Sequence, residues 1–301
     1  MNQSAPRSID QYLRALRDAL KDADPALVQD ALYDAEEYLR AEVASHPDKT
    51  EADVLELIAS TYGAPSEVAA AYRNTEATVA AALAIPRRSA PRGVLGRFFG
   101  VYADSRAWTS LFYFLLALPT GILYFTVAVT GLSLSAGLAV MIFGIPFFLL
   151  FIGFTRILAL AEGRIVEGLL GVRMPRRPRA APSEATLFGR IKGMLFDQRT
   201  WTTLLYMLLL LPLGLLYFTC TVVMVTLAGA FIVAPLAVLI GLPLLMVDAP
   251  MIGTHVLSVP ESILVSVAGV LLLTVFLHIV RSLGELHGQI AKRLLVSRES
   301  E

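Results

Sequence analysis

The side chains best placed to do chemistry stand where long apolar runs end: Arg156, His278, Arg281 and Glu285. Arg156 and Arg281 offer counter-ions for an anionic ligand. In a plainer role they snorkel, stretching along apolar surface to bring their guanidinium groups to lipid phosphates. His278, Arg281 and Glu285 fall at i, i+3 and i+7, one helical face. Such a face makes an interfacial ion pair or, because imidazole titrates near about pH 6.5, a proton relay. No HExxH, GxSxG, P-loop or paired-carboxylate arrangement occurs. No catalytic residue, cofactor site or metal site is therefore assigned, and the chain reads as non-enzymatic. The single cysteine, Cys220, excludes an internal disulfide framework and a cysteine-rich zinc site, and reads as a packing residue.

A second set of candidates comes in pairs. Leu118-Pro119-x-Gly121-x-Leu123-Tyr124-Phe125-Thr126 returns 93 residues later as Leu211-Pro212-x-Gly214-x-Leu216-Tyr217-Phe218-Thr219. Pro119 and Pro212 each remove a helical hydrogen bond, so with Gly121 and Gly214 they form a signalling hinge, or the glycines let helices pack closely. Tyr124 and Tyr217 line a pocket between repeats, or pack as ordinary aromatics. The upstream motif also recurs: Gly96-Arg97-x-x-Gly100-x-x-x-Asp104-x-Arg106-x-Trp108-Thr109 becomes Gly189-Arg190-x-x-Gly193-x-x-x-Asp197-x-Arg199-x-Trp201-Thr202. The later parts match at a separation of 125, Arg156-x-Leu158 with Arg281-x-Leu283 and Gly163-x-Ile165 with Gly288-x-Ile290. A duplicated membrane unit is expected, its second copy about 32 residues longer.

The elements that must carry these residues divide sharply. The chain has 301 residues, 25 basic and 25 acidic, with 56% apolar and only 17% charged. That composition leaves the range of soluble domains and excludes disorder. Its zero net charge conceals 7 basic against 15 acidic side chains in residues 1–84, net −8, balanced by +8 in the rest. The N-terminus has no apolar core of a signal peptide. Instead Ser8 and Gln11 have capping-box spacing ahead of Tyr12, Leu13, Leu16 and Leu20. Asp24-Pro25 opens a helix to about Ser45, Thr50 caps a third that stops at Gly63, and Pro65 starts a fourth. The acidic face of this bundle, with Asp34, Glu36 and Glu37, is a solvated surface or a dock for a basic partner, including the chain's own 173–192 segment.

The expected organisation is all-α: a small soluble helical bundle followed by a polytopic α-helical membrane domain of two tandem repeats. Its parts are the acidic head (1–84), a basic linker and juxtamembrane segment (85–107), repeat 1 (108–172), a basic linker (173–200) and repeat 2 (201–297) with an insertion at about 223–258. Residues 108–160 hold one charged side chain, Arg156, and 200–247 hold none, which reads as membrane spans. Lys and Arg gather in 87–106, in the central linker and at the tail, so both termini face the cytoplasm of a bacterial inner membrane. Four crossings follow, at about 108–129, 136–158, 201–223 and 261–282, with 228–247 as an extension or re-entrant element; six also keep the repeats equivalent. No acidic residue lies inside those four spans, Glu261 standing at the first residue of the last, which weighs against a transporter or channel.

Two resemblances add to this. Tyr12-Leu13-Arg14-x-Leu16, the acidic Asp34-Ala35-Glu36-Glu37 and the run Tyr62-Gly63-x-Pro65-x-Glu67-Val68-Ala69-x-x-Tyr72 resemble the HAAS domain over about residues 8–74. That small cytoplasmic helical module of prokaryotic signalling proteins implies an adaptor role. The Leu-Pro-x-Gly-x-Leu-Tyr-Phe core, with Val259-Pro-Glu-Ser-Ile-Leu264 and Leu286-His287-Gly-Gln-Ile-Ala291, resembles the putative sensor domain over about 95–297. That domain forms the membrane part of some bacterial histidine kinases. No phosphoacceptor helix or Gly-rich ATP-binding segment is present, so kinase activity is not carried over. The expectation is a non-enzymatic membrane sensor or regulatory adaptor whose partners are membrane lipids and a cytoplasmic or membrane protein, with homo-oligomers and a membrane-organising scaffold as further options. No nucleic-acid partner is expected.

Overall fold

The computed structural model describes residues 6–83, 93–138, 144–175, 197–242, 246–249 and 253–296. The basic linker 84–92 and most of the second linker, with Arg176, Arg177, Arg179, Arg190 and Lys192, lie outside these residues.

Four helices build the head: α1 (Ile9–Ala19), α2 (Pro25–Ser45), α3 (Glu51–Ala59) and α4 (Pro65–Leu83). Their boundaries are set by local chemistry. Ser8 accepts from the Gln11 amide at 3.2 Å, while the Gln11 side chain turns to the Arg7 amide at 2.9 Å, so only half of the expected capping box closes. Asp24 accepts from the Ala26 amide just ahead of Pro25. Thr50 and Asp53 complete a reciprocal box on α3. Gly63 has φ +101°, the left-handed conformation that lets the chain turn between α3 and α4. Tyr12 donates to its carbonyl at 2.9 Å. The core is Leu16, Leu20, Ala31, Leu39, Val54 and Ile58.

A short helix α5 (Val94–Phe99) and a 3-10 turn (Gly100–Ala103) lead into the body, made of α6 (Ser105–Leu138), α7 (Gly144–Leu170), α8 (Gln198–Leu239) and α9 (Val259–Leu295). Between α8 and α9 lies one antiparallel hairpin, β1 (Met246–Ala249) with β2 (Gly253–Val256), Met246 opposite Val256. The all-α expectation holds, this hairpin being the one strand pair among the described residues. α6, α8 and α9 are long and apolar enough to cross a membrane.

The helices overrun the expected spans. At 1.5 Å per residue, 42 residues of α8 reach about 63 Å, twice the roughly 30 Å hydrocarbon layer. α6 continues through 130–138, where a turn was expected. Gly131 does not break it, because a Cβ there would overlap the ring of Phe151 on α7: the glycine serves packing. Of 228–247, expected as an extension or re-entrant element, residues 228–239 extend α8. α8 runs through Pro235 and ends only at Gly241, φ +72°, where the Gly241 amide reaches Val238 O and the Leu242 amide reaches Ala237 O, the Schellman pattern.

α6 and α8 meet through their glycines. A Cβ on Gly121 would lie 2.7 Å from the Leu210 carbonyl oxygen, and one on Gly214 would run into the carbonyl of Ala117. Ala117 and Leu210 are themselves 93 residues apart, so each helix touches the other at the same step of the sequence repeat. Small residues at such points let backbones approach within lipid, where burial of apolar surface drives nothing.

Candidate functional site

The start of α6, the end of α7, the start of α8 and the end of α9 converge. Arg281 on α9 pairs with Asp104 just before α6 at 2.6 Å, and Arg156 on α7 pairs with Asp197, the cap of α8, at 3.8 Å. The two pairs are reciprocal, since Asp104 and Asp197 differ by 93 and Arg156 and Arg281 by 125. Arg281 also lies 3.6 Å from Glu285. His278 leaves that face: its Nε2 donates to the Phe98 carbonyl at 2.9 Å and its ring stacks on Phe98. The face expected to gather His278, Arg281 and Glu285 therefore divides into an ion-pair group and a histidine that holds α5.

Two helical turns further in, a polar cluster is sealed inside the body. Tyr113 and Tyr206 each stand eight residues after the first residue of α6 and α8, and Glu162 and His287 each eight before the last of α7 and α9. Tyr113, Tyr206, Glu162 and His287 are all at most 2% exposed. Glu162 Oε1 accepts from the Tyr113 hydroxyl at 2.8 Å and from the Tyr206 hydroxyl at 2.9 Å. His287 Nε2 lies 2.7 Å from the Tyr113 hydroxyl and 3.2 Å from that of Tyr206. Its Nδ1 lies 3.4 Å from the Tyr217 hydroxyl. Tyr217 stacks on Phe114 with centroids 4.2 Å apart, and Tyr124 faces Glu162 from α6. Glu162 Oε2 has no hydrogen-bond partner among the described residues.

Tyr124 and Tyr217, expected beside a pocket, thus belong to this cluster, whereas Pro119, Gly121, Pro212 and Gly214 lie in the α6–α8 crossing. Sequence reasoning assigned none of Glu162, Tyr113, Tyr206 and His287. The second span, expected to end at about 158, leaves Glu162 outside it. α7 runs on to Leu170, and Glu162 sits at its buried face. The repeat could have found them: 93 maps Tyr113 onto Tyr206, and 125 maps Glu162 onto His287.

A strap joins the cluster to the head. After Gly171, φ +70°, residues 172–175 fold back over the bundle. Met174 is fully buried and packs on Gly163, beside Glu162, while Val172 fills the space a Cβ would need at Gly288, beside His287. Between them Arg173 pairs with Glu76 of α4 and, at 3.6 Å, with Asp30 of α2. Lys292 on α9 reaches Asp24 at 2.6 Å, and Arg199 on α8 reaches Gln29 at 3.2 Å. The acidic head and the basic body therefore meet, through Asp24, Gln29, Asp30 and Glu76. Of the residues expected to dock, Asp34 accepts from Tyr72 at 3.1 Å inside the head, Glu36 pairs with Arg40, and Glu37 is exposed. Burial and the Asp34 carboxylate push the Tyr72 hydroxyl above its ordinary range, which keeps it a donor.

Among the described residues no group of histidine, cysteine, aspartate and glutamate could hold a metal ion. A family model described as Putative sensor matches residues 113–295, more than half of the chain and all four residues of the buried cluster. No curated protein and no solved structure matches.

Proposed function

The chain belongs to the Putative sensor family, and from that premise we propose that it is a non-enzymatic membrane sensor that passes the state of its buried cluster to a cytoplasmic, HAAS-type adaptor head. α6 to α9 cross a bacterial inner membrane four times as a duplicated unit, with both termini in the cytoplasm and membrane lipids around the helices. The head presents itself to a protein partner when it leaves the body. The observation that carries this reading is the strap: Val172 and Met174 touch the neighbours of His287 and Glu162, and Arg173 between them holds the head. A shift of α7 against α9 changes the position of Arg173, and with it the head's attachment.

The test is a distance measurement between spin labels on the head and the body of the full chain in lipid nanodiscs. Arg173→Glu should lengthen and broaden the distance distribution, and Asp30→Arg in the same chain should partly restore it. An unchanged distribution in Arg173→Glu rejects the reading. A second reading, a small proton-coupled transporter, draws support from the acidic Glu162 buried among four helices. Proton flux in proteoliposomes, lost in Glu162→Gln, is what it requires.

A further inference from the structure

We propose that Glu162, Tyr113, Tyr206 and His287 form a proton-binding site, in which one proton is shared between the Glu162 carboxyl and the His287 imidazole through the Tyr113 hydroxyl. A phenol has one proton to give, yet the Tyr113 oxygen is 2.8 Å from Glu162 Oε1 and 2.7 Å from His287 Nε2. One of its neighbours must donate to it while the other accepts.

Two arrangements of the protonated site satisfy the same heavy atoms; once that proton has left, a Glu162 carboxylate accepts from Tyr113 and Tyr206, a neutral His287 donates from Nε2 to Tyr113, and its Nδ1 accepts from Tyr217. In the first, Glu162 carries its proton on Oε1 and donates to Tyr113, Tyr113 donates to Nε2, and Nδ1–H of a neutral His287 donates to Tyr217. In the second, Tyr113 and Tyr206 both donate to a Glu162 carboxylate, and a doubly protonated His287 donates from Nε2 to Tyr113 and from Nδ1 to Tyr217. One concerted shift interconverts them. The Glu162 O–H bond breaks as an O–H bond forms on Tyr113, and the original Tyr113 O–H bond breaks as an N–H bond forms at Nε2. One proton has moved, Tyr113 ends as it began, and the cluster stays neutral overall.

The surroundings favour a site that holds a proton over a permanent ion pair with a fixed cation. The titratable groups facing Glu162 and His287 are tyrosines, Tyr113 and Tyr124 from α6 and Tyr206 and Tyr217 from α8; the strap adds the apolar Val172 and Met174, and its Arg173 pairs with Glu76 and Asp30 of the head. No Lys or Arg pairs with Glu162 among the described residues, and its Oε2 is unpartnered there. A buried carboxylate without a fixed counter-charge is neutralised by a proton, its own or its neighbour's. Proton gain or loss here changes the charge between α7 and α9, the two helices on which the strap rests. What the head does with that change rests on the sensor reading; the site itself does not.

The experiment is a titration of the full chain in nanodiscs from about pH 8 to about pH 5, the range in which a histidine titrates. Infrared difference spectra with carbon-13 glutamate follow the protonated carboxyl, nitrogen-15 histidine NMR follows the imidazole, and head–body spin labels are read in parallel. The expected result is one carboxyl band, absent in Glu162→Gln, that titrates together with one imidazole. Tyr113→Phe, which keeps the ring, should uncouple the two and move the carboxyl midpoint by about one pH unit or more, as coupled sites require. No titrating carboxyl in the wild-type chain overturns the proposal, and so does a midpoint indifferent to Tyr113→Phe. Neither criterion depends on Glu162→Gln folding. If the carboxyl titrates and the head stays attached, the proton site stands and the sensor reading falls; if the head moves without a Glu162 signal, the reverse holds.

Discussion

In the head, Leu16, Leu20, Ala31, Leu39 and Val54 are fully buried, and the charges lie outside that aliphatic core, with Asp30 buried at its edge, where it meets Arg173. In the body, Tyr113, Glu162, Tyr206 and His287 are inside, and Leu150, Leu239 and Leu264 point outward with more than two-thirds of their surface exposed. The same chemistry explains both once the solvent changes. Water drives apolar side chains inward, so the head needs only aliphatic periodicity and caps. Lipid gives no such drive, and body helices must be held by close backbone approach and by polar groups that find partners only inside. Damage should therefore follow opposite rules in the two regions.

The largest effect tests the head. Leu39→Asp places an unpaired carboxylate in an aliphatic core and should cost about 4 kcal/mol or more. Hydrogen exchange on the full chain should then show α1 to α4 open and α6 to α9 still protected. Loss of protection in both regions would mean that they are one cooperative unit and that the contrast is false.

In the body, the corresponding break is steric. Gly214→Leu drives a side chain into the Ala117 carbonyl and should cost about 3 kcal/mol at the α6–α8 crossing. Gly153, whose Cβ would meet nothing within 4 Å, should accept alanine freely. Chemical unfolding in detergent micelles compares the two; equal effects would show that exposure to lipid, not approach of backbones, governs the glycines.

Much of the head was legible because its signals are local. Asp24-Pro25, Thr50 and Gly63 act through their own backbone and nearest neighbours: the structure starts α2 and α3 at the first two, and at Gly63 it makes the left-handed turn, although α3 itself ends earlier, at Ala59. The body was legible only as a pattern of apolar runs. Where each helix stops depends on its neighbours: the break expected between 129 and 136 does not form, and Gly131 within it packs against Phe151 of α7 while α6 stays helical to Leu138. The buried cluster has no local signature at all. Tyr113, Glu162, Tyr206 and His287 come from four helices, and Glu162 lies beyond the expected end of the second span until α7 is known to continue past it. The repeat held that information in its two separations, 93 and 125.

A smaller effect separates polar cores from apolar ones. Tyr206→Phe removes one of two donors to Glu162 and should cost about 1–3 kcal/mol without leaving a cavity. Tyr38→Phe in the head, a residue stacked on Tyr62, should cost less. Smaller still is the joint between the regions. Lys292→Glu should weaken head attachment by about 1 kcal/mol, the range of partly exposed pairs, with Asp24→Lys restoring it. Salt should act in the same direction, since the Debye length falls from about 8 Å to about 3 Å between physiological and 1 M ionic strength.

The smallest effect separates the acid response of the head from any proton response of the body. Asp53 is held below the ordinary aspartate range, first by the Thr50 hydroxyl and then by the Thr50 amide, both donating to its carboxylate at the start of α3. Its folded-state value lies below its unfolded one. The stabilisation is therefore complete above the unfolded value, about 3.9, and is lost as the pH falls through the folded one. Thr50→Ala removes the hydroxyl and should cost about 0.5–1 kcal/mol at neutral pH. It should also flatten the acid limb of the head's stability below about pH 4. That window is roughly two pH units under the range in which imidazole titrates. A change in head attachment near neutral pH that survives Thr50→Ala unaltered must then originate outside this capping box, and the buried cluster of the body is where the strap would carry it from. If Thr50→Ala abolished the neutral-pH change, the head would be responding to acid through its own surface, and the division of labour between an aliphatic head and a titrating body would not hold.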